Sequence, residues 1–131
     1  MRKSGLLNAR LAAIVAGIGH GDLLVVADAG LPVPPGVECV DLAVTGGVPR
    51  MLDVLTAVAG ELQVERFVLA EELLARATPL PDEVRTLFPD AAEDTLTHAE
   101  FKALTRSARA VVRTGEFTPY ANVILAAGVV F

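Results

Sequence analysis

Short apolar runs separated by helical patterns constrain this chain more than any other feature. Residues 23–27, 67–70 and 110–112 are such runs, the last two within candidate strands at 64–70 and 110–113, and the apolar residues between the strands recur at helical spacing. Short apolar runs are typical of strands that are buried on both faces of a sheet. Strands that alternate with helices predict an α/β arrangement. We therefore expect residues 1–131 to form one α/β domain, a sandwich in which helices flank a mixed, mostly parallel central sheet.

Local signals place the individual elements along the chain. Asn8 is a good N-cap for a first helix, which should end near Gly17 and Gly19. We expect further strands at 37–44 and 93–96, helices at 51–62, 71–77 and 82–88, and one or two central strands at 123–131. The acidic pair Glu71 and Glu72 should complement the N-terminal dipole of the helix that it opens.

The composition is unusually apolar for a small protein. The chain is 53% hydrophobic, and its mean hydropathy is +0.52, whereas typical domains are about 45–50% apolar. No apolar run approaches the roughly 18 residues that a membrane span requires, so we expect no membrane partner. The apolar surplus instead predicts subunit interfaces, because the interfaces of obligate oligomers resemble a domain core.

Charge and cysteine content exclude several partners. The net charge is −5, and no basic cluster exists beyond Arg2 and Lys3, so we expect no nucleic-acid partner. The single cysteine, Cys39, cannot form an intrachain disulfide, and we expect it to be a small buried residue. Asn8 and Arg10 interrupt the apolar N-terminal stretch, and no signal-peptide cleavage site follows. We therefore predict an amphipathic helix there and a cytoplasmic protein.

Residues 19–32 carry the first candidate site. His20 precedes the buried run 23–27, and Asp28 follows it directly. A strand extends about 3.3 Å per residue, so the two side chains meet only if the loop folds back or a second subunit intervenes. In the alternative interpretation, His20 interacts with a helix end and Asp28 caps a turn. On these residues alone, the second interpretation is favoured.

Two later segments supply further polar candidates. Thr97 and Glu100 match the capping box that starts a helix, and His98 and Lys102 would then share one face of that helix. A surface histidine beside a helix cap is the alternative interpretation of His98. The polar turn at 114–122 contains the only tyrosine, Tyr120, and ends at Asn122.

Several chemistries lack their motifs. Neither serine lies in a G-x-S-x-G sequence, and no G-x-G-x-x-G follows a strand. His20, Asp28 and His98 lack the spacing of metal ligands, so we expect no metal and no cofactor. A cofactor-free acid/base site remains, built from imidazole, carboxylate, amide and phenol groups. Such groups bind polyols and move protons near neutral pH.

Four segments in the same order resemble the D-ribose pyranase family. They are residues 19–22, 27–32, 97–102 and 113–122, with the sequences GHGD, ADAGLP, THAEFK and RTGEFTPYAN. The likeness extends over essentially the whole chain, and no motif position departs from the family pattern. The related L-fucose mutarotases share the histidine and aspartate frame, but the second and fourth segments look like the ribose branch.

The resemblance implies an isomerase of carbohydrate metabolism that interconverts the pyranose and furanose forms of D-ribose. It implies His20 as the catalytic acid. It also implies five sugar-contacting residues, namely Asp28, His98, Lys102, Tyr120 and Asn122. A ring-shaped homo-oligomer, pentameric or decameric, with sites at subunit interfaces is implied as well. His20 and Asp28 must then line one pocket. The alternatives are a mutarotase for another sugar such as fucose and a non-catalytic cytoplasmic sugar-binding subunit.

Overall fold

A computed structural model describes all residues from Met1 to Phe131. The strands are β1 (Leu23–Ala27), β2 (Glu38–Asp41), β3 (Val64–Ala70), β4 (Ala92–Leu96), β5 (Ala108–Arg113) and β6 (Val123–Ala127). The helices are α1 (Ala9–Gly17), α2 (Met51–Ala59), α3 (Glu71–Leu74), α4 (Leu80–Leu87) and α5 (His98–Leu104), followed by a 3₁₀ turn at Thr105–Ser107. The alternation of strands and helices that the sequence predicts is therefore present.

The six strands form one sheet in the order β2-β5-β1-β6-β3-β4. β1 pairs in parallel with β5, β5 with β2, and β3 with β4. Only β6 runs antiparallel, between β1 and β3. The prediction of a mixed, mostly parallel sheet flanked by helices is confirmed. The topology also brings the carboxyl ends of five strands and the amino end of β6 to the same edge of the sheet.

The core has one hydrophobic cluster on each face of the sheet. Along β1, Leu24 and Val26 belong to the larger cluster, while Val25 belongs to the smaller one. Helices α1, α2 and α4 pack on the larger cluster, and α5 covers the smaller one through the fully buried ring of Phe101. Because both faces are covered, the two central strands β1 and β6 are apolar throughout rather than alternating.

Local capping signals are realised as predicted. The Asn8 side chain accepts a hydrogen bond from the Leu11 amide at 2.9 Å and so starts α1. At α5, Thr97 Oγ1 accepts from the Glu100 amide at 3.2 Å, and the Glu100 carboxylate accepts from the Thr97 amide at 3.1 Å. Each cap involves residues only three positions apart, which is why the sequence indicates it correctly.

Some element bounds differ from the prediction. The strand expected at 37–44 is only Glu38–Asp41, because Asp41 Oδ1 accepts from the Ala43 amide and turns the chain. The helix expected at 71–77 ends at Leu74, and Ala77 adopts a positive φ of 51°. The helix expected at 82–88 is Leu80–Leu87. The terminal run supplies one strand, β6, and its last residues are exposed.

The prediction that Cys39 is buried is wrong. Cys39 lies on β2, which is an edge strand, and its thiol is free and exposed. Alternation along β2 turns Val40 into the larger cluster, so the neighbouring side chain faces away from it.

No helix of the chain is long and apolar enough to cross a membrane.

Candidate functional site

Four of the six predicted site residues lie at the edge where the parallel strands end. Asp28 directly follows β1, and His98 opens α5 after β4. Tyr120 and Asn122 precede β6, which starts at this edge because it runs antiparallel to β1. Ligands of open α/β sheets bind beyond the carboxyl ends of the strands. We refer to this side of the molecule as the Asp28 edge.

Asp28 and Asn122 are joined by two hydrogen bonds. The Asp28 amide donates to Asn122 Oδ1 at 2.8 Å, and Asn122 Nδ2 donates to Asp28 Oδ2 at 3.0 Å. The Gly30 amide donates to Asp28 Oδ1 at 2.9 Å. Asn122 is fully buried, whereas Asp28 is half-buried. Asn122 therefore orients the Asp28 carboxylate, which keeps lone pairs for hydroxyl groups.

His98 and Tyr120 form the second contact at the Asp28 edge. Their rings meet edge to face, with centroids 4.9 Å apart. His98 Nδ1 is buried and has no hydrogen-bond partner. Tyr120 has a positive φ of 63°, a conformation that costs a non-glycine residue about 1–3 kcal/mol and clusters at functional sites. The strained backbone brings the only phenol of the chain onto the imidazole of His98.

A shallow cavity opens beside Asp28. Its volume is about 360 Å³, and it is lined by Asp28, Ala29, Gly30, Glu116, Phe117, Thr118 and Pro119. The Phe117 side chain is 73% exposed. The cavity lies between the loop after β1 and the loop before β6, and the apolar ring of Phe117 is exposed to solvent at its rim.

Lys102 lies away from this cavity. It lines a separate groove of about 440 Å³ between α5 and the loop Pro32, Val33, Pro34 and Pro35. Its side chain is exposed, and Arg106 lines the same groove. Lys102 shares the helix α5 with His98, as predicted, but the structure does not join it to the Asp28–Asn122 pair.

His20 lies at the opposite edge of the sheet. It occupies the turn before β1, and its Nε2 is 2.8 Å from Oε2 of Glu65, near the start of β3. The Gly21 amide donates to the Ala127 carbonyl at the end of β6. β1 separates His20 from Asp28, and its five residues span about 16 Å at 3.3 Å each. We refer to this side of the molecule as the His20 edge.

The requirement that His20 and Asp28 line one pocket is therefore not met within one chain. A mechanism in which the imidazole acts beside the Asp28 of its own chain is wrong, because an extended strand cannot bring its two ends together. The loop that holds His20 does not fold back over the sheet, since it is bound to the end of β6. A site that contains both residues requires two copies of the chain.

Sequence reasoning missed two contacts of the predicted histidines. Glu72 Oε2 accepts a hydrogen bond from the His98 amide at 2.8 Å, whereas the sequence assigned Glu72 to the dipole of its own helix. Glu65, which contacts His20, was not singled out at all. Both acids lie far from their partners along the chain, and only strand pairing brings them together. No cluster of three or more His, Cys, Asp or Glu side chains is arranged to hold a metal ion.

Comparison with known proteins reveals full-length relatives. A family described as the RbsD / FucU transport protein family matches residues 1–130. A protein of Pseudomonas putida named D-ribose pyranase is 54% identical and is aligned over all of both chains. Among solved structures, Bacillus subtilis RbsD complexed with D-ribose is 48% identical over all of both chains, with a TM-score of 0.95.

A more distant structure shows the other branch. FucU from Bifidobacterium longum is 27% identical, with a TM-score of 0.82, and the match covers 95% of this chain and 97% of that one. The identity is lower than to the ribose-bound structure, although the same fold is retained. The chain belongs to the RbsD / FucU transport protein family.

Proposed function

We propose that this chain is an isomerase that interconverts the pyranose and furanose forms of D-ribose without a cofactor. The observation that carries this proposal is the full-length match to D-ribose pyranase of Pseudomonas putida. The likeness to RbsD in complex with D-ribose supports the same substrate. The Asp28 edge offers carboxylate, amide, imidazole and phenol groups, which are suited to bind the hydroxyl groups of a monosaccharide.

In this proposal Asp28, His98, Tyr120 and Asn122 bind the sugar. Asp28 accepts hydrogen bonds from sugar hydroxyls, because Asn122 and the Gly30 amide orient its carboxylate but do not exhaust its lone pairs. The unpartnered Nδ1 of His98 gains a partner when a hydroxyl approaches. Lys102 is the fifth proposed sugar-binding residue, although it lines the separate groove beside α5.

The catalytic acid His20 comes from a neighbouring copy of the chain. The His20 edge of one copy would meet the Asp28 edge of the next, which is a head-to-tail contact that closes into a ring when the rotation allows. Apolar residues support contact at both edges: Phe117 is 73% exposed at one, and Val130 and Phe131 are 85% and 100% exposed at the other. A pentameric ring, or a decamer of two rings, fits this arrangement.

The chemistry consists of balanced proton transfers. His20 donates a proton to the ring oxygen, and the C1–O bond breaks with its electron pair passing to that oxygen. The anomeric hydroxyl gives its proton to a water molecule of the solvent, so the open aldehyde forms. Attack by a different hydroxyl on C1 reverses these transfers and closes the other ring. A well-placed imidazole accelerates such transfer by about 10²–10⁴-fold, and fixed contacts from the other residues orient the sugar.

We also propose that the protein acts in the cytoplasm. Support comes from the single cysteine, Cys39, which is free and exposed, because exposed free thiols suit a reducing compartment. Fractionation of cells that produce the tagged protein tests this location. Recovery in a secreted or periplasmic fraction would contradict it.

Saturation-transfer NMR on D-ribose tests the activity and the role of His20. The parent protein should accelerate pyranose–furanose exchange at low protein concentration, and His20→Ala should lower the rate by about 10²-fold or more. Glu71→Ala, a change at an exposed acid whose carboxylate has no hydrogen bond, is the matched control. Parent-like exchange by His20→Ala would remove His20 as the acid.

The same assay separates the two alternative functions. A non-catalytic sugar-binding subunit would bind D-ribose without accelerating exchange. A fucose mutarotase would accelerate exchange of L-fucose more than that of D-ribose. The higher identity to the ribose-bound structure, 48% against 27% for FucU, favours ribose.

A further inference from the structure

A β-bulge directs Glu65 towards His20. Where β3 pairs with β6, Val64 lies opposite Ala127 and Arg66 lies opposite Ala126. Glu65 is therefore the extra residue of the ladder, and a bulge of this kind re-aims a side chain. The Glu65 side chain consequently does not follow the alternation of side chains along β3. Its Oε2 lies 2.8 Å from Nε2 of His20.

Backbone contacts hold the bulge and the His20 turn in one arrangement. The Gly128 amide donates to the Gln63 carbonyl at 2.8 Å, and the Gly21 amide donates to the Ala127 carbonyl at 2.8 Å. A Cβ on Gly128 would lie only 3.0 Å from the Cβ of Glu65, so the end of β6 packs closely against the bulge. The hydrogen-bonded backbone of the two segments thus positions the imidazole and the carboxylate next to each other.

Stability does not explain this pair. The side chains of His20 and Glu65 are 59% and 46% exposed, and ion pairs at such exposure contribute little to folding. The other charged side chains near the turn already have partners: Asp22 accepts from the Gly19 amide at 3.0 Å and lies 3.4 Å from Arg109. Glu65 is the one carboxylate that is hydrogen-bonded to the imidazole.

We infer that Glu65 is the positioning residue of His20, an inference that rests on the proposed function. Glu65 accepts the hydrogen bond from Nε2–H and so fixes both the tautomer and the ring orientation. Nδ1 remains as the nitrogen that gives its proton to the ring oxygen of the sugar. After that transfer the neutral ring keeps its proton on Nε2, against Glu65. Before the proton transfer, the Glu65 carboxylate stabilises the positive charge of the imidazolium ring, as in other carboxylate–histidine pairs.

The test combines two readouts on Glu65→Ala. In ¹⁵N NMR of histidine-labelled protein, the parent should show the Nε2–H tautomer of neutral His20, and the variant should show a mixture of both tautomers. A His20→Asn spectrum distinguishes His20 from His98, the only other histidine. The kcat for pyranose–furanose exchange should fall about 10-fold, which is the low end of the loss that follows removal of the outer partner of a metal-binding histidine. KM should stay nearly constant, because Glu65 does not contact the sugar.

Two further variants make the outcome decisive. Glu65→Gln keeps an acceptor of the same shape without the charge, so it should retain the tautomer and recover part of the rate. Glu71→Ala removes an exposed acid at the far end of β3 from Glu65 and should change neither readout. A parent-like tautomer in Glu65→Ala, or an unchanged kcat, would overturn the positioning role. A parent protein that does not accelerate exchange would instead overturn the proposed function, while the tautomer spectrum would still report the pair.

Discussion

The contact between Asp28 and Asn122 shows how one buried amide controls an accessible carboxylate. Asn122 is fully buried and uses both ends of its side chain on the same residue, as acceptor for the Asp28 amide and as donor to the Asp28 carboxylate. Loss of either function would leave a polar group without its partner. At the scale of single residues, Asn122 therefore orients Asp28 in addition to its proposed contact with the sugar.

We predict that Asn122→Ala destabilises the protein by about 1–3 kcal/mol, because the Asp28 amide loses its buried acceptor. The KM for ribose should rise as well, since the Asp28 carboxylate is no longer held. Urea unfolding and NMR exchange measure the two effects. Thr118→Ala, a change in the wall of the same cavity without a side-chain hydrogen bond, is the control. Unchanged stability in Asn122→Ala would contradict the role of the paired hydrogen bonds.

At the scale of elements, α5 depends on groups outside itself to place His98. The Phe101 ring is fully buried in the smaller core cluster, and Thr97 caps the first turn. The His98 amide is satisfied by Glu72, which belongs to α3 after the neighbouring strand β3. A carboxylate from one helix thus caps the N-terminus of another, where negative charge is favourable.

We predict that Glu72→Ala raises the KM for ribose and destabilises the protein by about 1 kcal/mol, as the loss of a helix cap does. The adjacent Glu71→Ala offers a matched control, because Glu71 is exposed and its carboxylate has no hydrogen bond. Both variants lose one acid from the same helix turn. Equal effects from the two substitutions would indicate a general charge effect and would contradict the specific cap on His98.

A second element-scale contact joins α4 to the edge strand β4. Arg85 donates two hydrogen bonds to Glu93 at 2.8 Å and one to Asp82 at 2.7 Å. The hydrogen bonds from the Arg85 guanidinium hold the pKa of Glu93 below its ordinary value. A carboxylate whose pKa is lowered by folding stabilises the folded state above its unfolded pKa, and this stabilisation is lost as the pH falls through the folded pKa.

We therefore predict that Arg85→Ala is less stable than the parent at pH 7 by less than about 1 kcal/mol, since the pair is partly exposed. The difference should shrink as the pH falls below the ordinary pKa of 4.5 for this carboxyl group. Thermal unfolding of both proteins between neutral and acidic pH measures it. Glu93→Gln should show the same pH dependence, and a difference that persists in acid would exclude the ion pair as its cause.

At the scale of the whole molecule, the predicted site residues are divided between two edges. His20 precedes one central strand and Asp28 follows it, so a single chain holds the proposed acid at one edge and the Asp28 carboxylate at the other. A head-to-tail ring repeats the same contact at every interface. Each interface in such a ring would combine the His20 edge of one copy with the Asp28 edge of the next.

We predict that two inactive variants restore activity when they are mixed. His20→Ala and Asp28→Asn, unfolded together at equal concentrations and refolded, should recover about one quarter of the parent activity, because one interface in four then pairs an intact His20 with an intact Asp28. Each variant refolded alone provides the baseline. An absence of recovery in a mixed oligomer verified by mass would contradict a site shared between copies.

The sequence by itself determined the local structure and the class of fold. The helix caps at Asn8 and Thr97 and the strand Val64–Ala70 follow from residues that are close in the chain, and the apolar runs indicate a covered sheet. The motif segments also indicate the family, because they keep their order over the whole chain. These signals are local, or additive along the chain, and so no knowledge of the pairing between strands is required.

Only the tertiary structure decided which residues meet. The antiparallel direction of β6 brings Asn122 to Asp28, the bulge in β3 brings Glu65 to His20, and the pairing of β3 with β4 brings Glu72 to the His98 amide. Strand order likewise placed Cys39 on the edge strand β2, where its side chain is exposed. Register and direction between distant strands follow from the packing of the whole sheet, and therefore residues 94 positions apart, such as Asp28 and Asn122, carry no local sign of their contact.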